Sequence, residues 1–240
     1  DALLEIRPRP LLETAPVARF WTSVDGAGVR CAACHVEAPA ARLKPNHKKG
    51  LVQCQLCAQR CALGLGERGR CRARINVAGQ LRSLVYGRPA SVHIDPIEKK
   101  PFYHFLPGAT AFSFGTAGCP LRCKFCQNWE LSQALPEDLE TTPVSAAAVV
   151  EAAAKAAPVI AFTYNEPTVF AEFLLDTAQA ARARGVRSVL ISCGLMNEAP
   201  LDAMCDTLAG IKIDLKGFSE DFYRTVSSAE LKPVLRSIKQ

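Results

Sequence analysis

No uncharged apolar run in these 240 residues reaches the roughly 18 that a membrane span requires. The best candidate, the alanine-rich stretch from Val144 to Phe162, carries Glu151 and Lys155. A membrane protein is thereby set aside. The N-terminus starts at Asp1 without a basic, apolar, small-residue leader, so nothing in it points to export. There is also no internal repeat and no low-complexity tract. With 49% hydrophobic and 22% charged residues, disorder, collagen and coiled coil are excluded, and enough apolar material remains for a sizeable core. The expectation is a cytoplasmic globular protein.

Cysteine, by contrast, is abundant and odd in number, at 11. Disulfides staple small secreted domains, but a chain this large and apolar does not need them, so metal binding is the better explanation. Nine of the 11 fall in tight groups: Cys31 and Cys34; Cys54, Cys57, Cys61 and Cys71; Cys119, Cys123 and Cys126. Cys193 and Cys205 stand singly in apolar surroundings, and Cys205, at helical spacing with Leu201 and Leu208, reads as a core residue.

Charge divides the chain as well. Residues 1–110 hold 17 Lys/Arg against 8 Asp/Glu, a net +9, whereas residues 111–240 hold 12 against 15, a net −3. Arg60, Arg68, Arg70, Arg72 and Arg74 crowd around the second cysteine group, which suits either a solvated basic face or a surface for an acidic protein or nucleic acid. The solvated face is the preferred reading.

The first 20 residues, with Pro8, Pro10 and Pro16, read as an arm packed on something else. Residues 1–110 are expected to form a cysteine-rich module with a short β-hairpin. Its strands are Leu81–Tyr86 and Ala90–Ile94, flanking Gly87-Arg88-Pro89. Residues 111–240 alternate strand-type runs (Ala111–Thr116, Val159–Thr163, Arg187–Ser192, Ile211–Leu215) with helical stretches (Val144–Ala157, Thr168–Arg184, Pro200–Leu208). That order argues for α/β architecture with a parallel sheet of right-handed βαβ units, whose functional groups collect at the carboxyl ends of the strands.

Directly after the first of those strands comes Gly118-Cys119-Pro120-Leu121-Arg122-Cys123-Lys124-Phe125-Cys126. Three thiolates on one loop can hold three irons of a cubane cluster and leave the fourth without a protein ligand. A zinc site would want a fourth protein ligand, and the next Cys is Cys193.

The CxxxCxxC spacing, with Phe125 before the third cysteine, resembles the signature of radical S-adenosylmethionine (SAM) enzymes. Further runs narrow the resemblance: His93 to Pro101, Ser113 to Cys119, Cys126-Gln127-Asn128-Trp129-Glu130, Thr163-Tyr164-Asn165-Glu166-Pro167 and Ile213-Asp214-Leu215-Lys216-Gly217. These are similar to the AmmeMemoRadiSam-system radical SAM proteins, relatives of the pyruvate formate-lyase activating enzyme. The resemblance runs from about Trp21 to the C-terminus. It implies a partial (β/α) barrel, a [4Fe-4S] cluster on Cys119, Cys123 and Cys126, and SAM as co-substrate. Reductive cleavage would yield a 5′-deoxyadenosyl radical that abstracts hydrogen from an unidentified substrate. It also implies a flavodoxin- or ferredoxin-type electron donor. Such barrels usually hold six βα units while only four strand signals follow residue 110, so the chain is expected to be truncated at its C-terminus.

Residue by residue, the resemblance places Phe125 beside the cofactor, Asn165 and Glu166 at the SAM amino group and Ser192 near the ribose. Asp214 and Lys216 fall near the carboxylate, where an ammonium is a natural partner. Alternative structural roles are an Asn-Glu-Pro turn leading into a helix and a paired Asp and Lys. Cys193 departs from the family's Ser-Asn-Gly, which weakens the ribose contact at that position.

Two groupings of the N-terminal cysteines compete. Cys31, Cys34, Cys54 and Cys57 have zinc-ribbon spacing, with His35 and His47 as further candidates. Cys54, Cys57, Cys61 and Cys71 form the set that the resemblance favours. Zinc or an auxiliary iron–sulfur cluster would satisfy either. Two rival functions complete the reading. One is an activase that installs a glycyl radical in a partner protein, as against a small-molecule substrate. The other is a zinc-bearing nucleic-acid-binding protein using the Arg60–Arg74 patch.

Overall fold

The structure, a computed structural model, describes residues 9–24 and 50–240. Cys31, Cys34, His35 and His47 lie outside the described residues. The central feature is a five-stranded sheet in the order β10-β9-β8-β7-β6. Its strands are β6 (Ser91–Pro96), β7 (Thr110–Gly115), β8 (Val159–Phe162), β9 (Arg187–Ser192) and β10 (Gly210–Ile213). The last four run parallel, and β6 lies antiparallel against β7. The sheet is open, with β6 and β10 at its edges.

Helices α1 (Ala146–Ala156), α2 (Ala171–Ala183) and α3 (Glu198–Thr207) make the crossovers, and α4 (Leu231–Lys239) follows β10. The first three lie close to their expected spans. Ser145 caps α1 by accepting the amide of Ala148. The helical stretch beginning near Thr168 opens as a 3-10 turn over Pro167–Phe170, because Pro167 pre-sets the first turn without needing a donor. Phe114, Ile160, Phe162 and Leu190 pack the helix-covered face of the sheet against Phe170, Phe173 and Leu174. The other face buries Ala111, Val159, Ala161 and Val189 against Ile97 from the segment between β6 and β7. Strands covered on both faces read as unbroken apolar runs, which is why 159–162 shows no alternation.

The expected hairpin is corrected. β5 (Gln80–Ser83) pairs not with residues 90–94 but with β4 (Arg74–Val77), and β6 pairs with β7. The reason is turn chemistry: Ala78 and Gly79 both have positive φ, at 53° and 81°, as a type I′ turn requires. Asn76 Oδ1 accepts the Gly79 amide at 3.0 Å. The sheet thus draws its fifth strand from residues before 111. Residues preceding β4 add β1 (Trp21–Val24), β2 (Leu51–Cys54) and β3 (Ala62–Leu63), an antiparallel set in that order. The N-terminal arm docks Leu11 and Ala15 on Ile75 and Leu84.

Two further expectations change. Cys205 is exposed, because α3 turns Leu201 and Met204 inward instead. The arginine patch is largely spent on protein acceptors. Arg68 pairs with Glu137 at 2.8 Å, Arg70 Nε donates to the Pro120 carbonyl at 3.0 Å, Arg72 donates to the Gln133 carbonyl, and Arg74 is buried against Glu172. Among the described residues no helix is long and apolar enough to cross a membrane.

Candidate active site

Cys119, Cys123 and Cys126 sit on one loop at the carboxyl end of β7, next to the ends of β8 and β9. The loop is held from three sides. Asn165, just past β8, donates from Nδ2 to the Gly118 carbonyl at 2.8 Å, while its Oδ1 accepts the Thr116 amide at 3.3 Å. Arg122 donates to the carbonyls of Cys119 (2.7 Å) and Leu121 (2.8 Å), and its amide reaches the Ser227 carbonyl. On the third side Gly118, with φ at 96°, lies against the Cys71 carbonyl. A Cβ there would stand 2.3 Å from that oxygen, so only glycine fits.

This gives Asn165 a loop-holding role beside the one expected of it. Its Nδ2 is engaged in holding the cysteine loop, while its Oδ1 accepts one amide and keeps a second lone pair. Glu166 is buried and forms the N-cap of the 3-10 turn. Its Oε1 accepts from the Thr168 amide (3.1 Å), the Thr168 hydroxyl and the Ser192 hydroxyl (2.7 Å), and its Oε2 accepts from the Cys193 amide (2.7 Å). Oε1 is saturated, and the Cys193 thiol adds a further hydrogen bond to this carboxylate. Ser192 therefore serves Glu166 first, and Cys193, at the position where the sequence departs from the family pattern, meets the same carboxylate with both its backbone amide and its thiol.

Lys216 donates to Asp214 at 2.8 Å, and Lys212 shares that carboxylate. Burial alone lowers the Lys216 ammonium, but Asp214, Cys193 and Cys123 outweigh it and hold it above its ordinary value. So the paired Asp and Lys exist, and their cation faces the cysteine loop. Phe125 is half exposed and its ring lies 6.1 Å from that of Phe222, which closes the far side of the loop. Burial raises the Cys119 thiol well above its usual range, with the charge of Glu166 next. A bound cation reverses such a shift, since a coordinating thiol is deprotonated outright. Among the described residues no three Cys, His, Asp or Glu side chains converge on one ion position, and this holds for both cysteine groups.

The sequence reading assigned no role to the polar network beside the loop. Tyr164, non-glycine with φ at 72°, donates its hydroxyl to Asp95 Oδ2 at 2.7 Å, and Lys100 donates to the same oxygen at 2.7 Å. The Lys100 ammonium sits 4.5 Å from the Tyr164 ring centroid, His93 meets that ring edge-on, and Asn128 donates to the Tyr164 carbonyl. Strained backbone held by several partners is a mark of functional regions. The signal available in the sequence was the Tyr-Asn-Glu-Pro turn itself.

Burial pushes the Asp95 carboxyl up, but hydrogen bonds from Lys100 and Tyr164, with the charges of Lys100 and Lys99, hold it at about 2. A depressed carboxylate contributes stability that is present above its unfolded value near 3.9 and is lost as pH falls through about 2. The expected loss between those limits is on the order of 2 kcal/mol. Unfolding free energy measured against pH should fall less steeply there for Asp95→Asn than for the parent. An identical slope in both proteins would remove Asp95 as the cause.

Residues 114–240 match the Radical SAM superfamily. The chain belongs to that superfamily. It is 41% identical over 189 residues to the "Uncharacterized protein MJ0808" of Methanocaldococcus jannaschii. The match takes in 78% of this chain and 56% of that protein, so the chain spans little more than half the length of this relative. Membership implies a [4Fe-4S] cluster and SAM. The residues present fit both: one loop supplies three soft thiol donors and no fourth, and the Lys216 ammonium and the Glu166 carboxylate stand beside it.

Proposed function

We propose that this radical SAM enzyme holds its cluster on Cys119, Cys123 and Cys126 and abstracts hydrogen from a polar substrate seated beside the loop. The cysteine loop locked at the carboxyl end of β7 carries the reading, since such ends are where α/β sheets gather reacting groups. When bound, the cluster supplies the electron for reductive cleavage of SAM. The chain's own residues then have positional work. Glu166, fixed by Ser192, Thr168 and the Cys193 amide, offers its carboxylate to an ammonium. Lys216 offers a cation to a carboxylate, and Asp214 keeps it aimed. Phe125 and Phe222 place two rings beside each other at one side of the loop.

The neighbouring groups of His93, Asp95, Lys100 and Tyr164 suit a hydrogen-bonding substrate over an apolar one. The five strands are read as part of a partial barrel, and the electron donor as a low-potential flavodoxin or ferredoxin. An activase acting on a partner protein would use the same groups. The test is anaerobic: the iron-reconstituted chain with dithionite and SAM is expected to release 5′-deoxyadenosine. A fully iron-loaded protein that releases none would overturn the reading.

A further inference from the structure

Four free thiols crowd the turns before β4, and their surroundings set two apart from the other two. Cys54, Cys57, Cys61 and Cys71 line one small cavity of about 20 Å³ together with Gly69, Arg74 and Pro120. That space takes a molecule about the size of water or hydrogen peroxide and no larger one. Burial, and after it the neighbouring sulfurs, pushes the Cys57 and Cys71 thiols up, which keeps them protonated and inert. Cys54 and Cys61 face donors that suit a thiolate. The buried Arg74 guanidinium places Nη1 3.9 Å from Cys54 Sγ, and the Arg70 amide donates to Cys61 Sγ at 3.5 Å.

The backbone joins the same two. β2 and β3 pair with Gln53 opposite Ala62, so the next pair in register is Cys54 opposite Cys61, and the Cys54 amide donates to the Cys61 carbonyl at 2.9 Å. Opposite residues bonded in this way have Cα atoms about 5.5 Å apart and side chains on one face. A disulfide needs a Cα separation of about 4.4–6.8 Å, so the strands already hold these two within its reach. Their access to solvent differs: Cys61 is partly exposed, whereas Cys54 is buried.

We infer that Cys61 and Cys54 form a dithiol switch that hydrogen peroxide oxidises to a disulfide, with Cys61 attacking and Cys54 resolving. The Cys61 thiolate attacks one peroxide oxygen, the O–O bond breaks, and the other oxygen leaves as water once protonated, which makes Cys61 a sulfenic acid. The Cys54 sulfur then attacks the Cys61 sulfur. The S–S bond forms, the S–O bond breaks, and a second water leaves. In sum, two thiols and one peroxide give one disulfide and two waters, and two electrons pass from the sulfurs to the peroxide. The change reaches the three-cysteine loop through Arg70. Its amide bonds Cys61 Sγ, its Nε reaches the Pro120 carbonyl at 3.0 Å, its Nη2 reaches the Ser228 carbonyl at 3.2 Å, and its own carbonyl accepts from Arg122 Nη2. A disulfide sulfur carries no charge, so oxidation weakens the bond from the Arg70 amide and loosens the contacts of residues 120–122. The switch stands independently of the proposed activity.

The experiment treats the full chain, purified without oxygen, with one equivalent of hydrogen peroxide, alkylates the remaining thiols and digests with trypsin. Cleavage after Arg60 puts Cys54 and Cys61 on different peptides, residues 50–60 and 61–68, and fragmentation separates Cys54 from Cys57. Most of Cys61 is expected in a cross-link to Cys54 that dithiothreitol removes. The same cross-link is expected in a chain with Cys119, Cys123 and Cys126 changed to Ala; a cross-link confined to the iron-loaded protein would make iron the oxidant and overturn the peroxide step. Cys54→Ser should leave Cys61 as a sulfenic acid trapped by dimedone, and Cys61→Ser should leave Cys54 unoxidised. Dimedone on Cys54 in Cys61→Ser would overturn the order of attack. Cys61 linked to Cys57 or Cys71 in the parent chain would overturn the pair, and four alkylated thiols at a dose that oxidises free cysteine would overturn the switch. Oxidation should also speed solvent exchange of the Arg70 and Arg122 amides severalfold, and unchanged exchange in a cross-linked chain would overturn the transmission to the loop.

Discussion

Changing Cys123 to Ala is expected to reduce 5′-deoxyadenosine release to background and to lower bound iron, while the fold stays intact. Cys123 is the decisive position of the three. Cys119 has the buried Cys193 thiol among its electrostatic neighbours, so a substitute sulfur stands near if Cys119 is removed. The groups that act most on the Cys123 thiol are Ser227, Lys216 and Cys126, and Cys193 is not among them. An iron left without its protein sulfur makes the cubane labile. The fold should survive because the loop's backbone bonds, from Arg122 to Ser227 and from Lys124 to Val226, do not involve the thiol. Full SAM cleavage by Cys123→Ala, at parental iron content, would sink the assignment of the loop. The double variant Cys119→Ala with Cys193→Ala, against Cys119→Ala alone, would show whether the fourth thiol substitutes.

The place of the three-cysteine loop was legible because its information is local: three cysteines within eight residues follow an apolar strand run, and the loop does leave the carboxyl end of β7. The four parallel strands were legible for a related reason, since Arg187–Ser192 and its neighbours are short β-branched or apolar runs bounded by turn residues. What could not be read was long-range pairing. Leu81–Tyr86 and Ala90–Ile94 look like hairpin partners, yet the partner of each is decided elsewhere, by the Ala78-Gly79 turn for one and by the open edge of β7 for the other. Side-chain destinations were equally hidden. Arg74 reads as one more member of a basic run, and only the fold shows that it crosses 98 positions in sequence to Glu172. Asn165 was placed by resemblance at a cofactor, and only the fold shows that its side-chain amide also holds the cysteine loop through Gly118 and Thr116.

That pairing of Arg74 with Glu172 leads to the largest expected stability effect. The two side chains are 1% and 4% exposed, and Glu172 also accepts the Arg19 amide at 2.7 Å, so one carboxylate joins the N-terminal arm, β4 and α2. Burial alone lowers the Arg74 guanidinium, but Glu172, Cys54 and Cys71 outweigh it and keep it charged. Changing Glu172 to Ala leaves that cation buried without its partner, a loss of about 3–5 kcal/mol, against a typical total stability of about 5–15 kcal/mol. The paired replacement of Arg74 by Met and Glu172 by Leu removes both charges and should cost much less, because the desolvation penalty disappears with the attraction. Denaturant midpoints of the two variants decide the matter. If Glu172→Ala lost under about 1 kcal/mol, the pair would be behaving like an exposed one. If the double replacement were the more damaging, the guanidinium would be needed for its other contacts, the Arg19 carbonyl and the Cys54 sulfur.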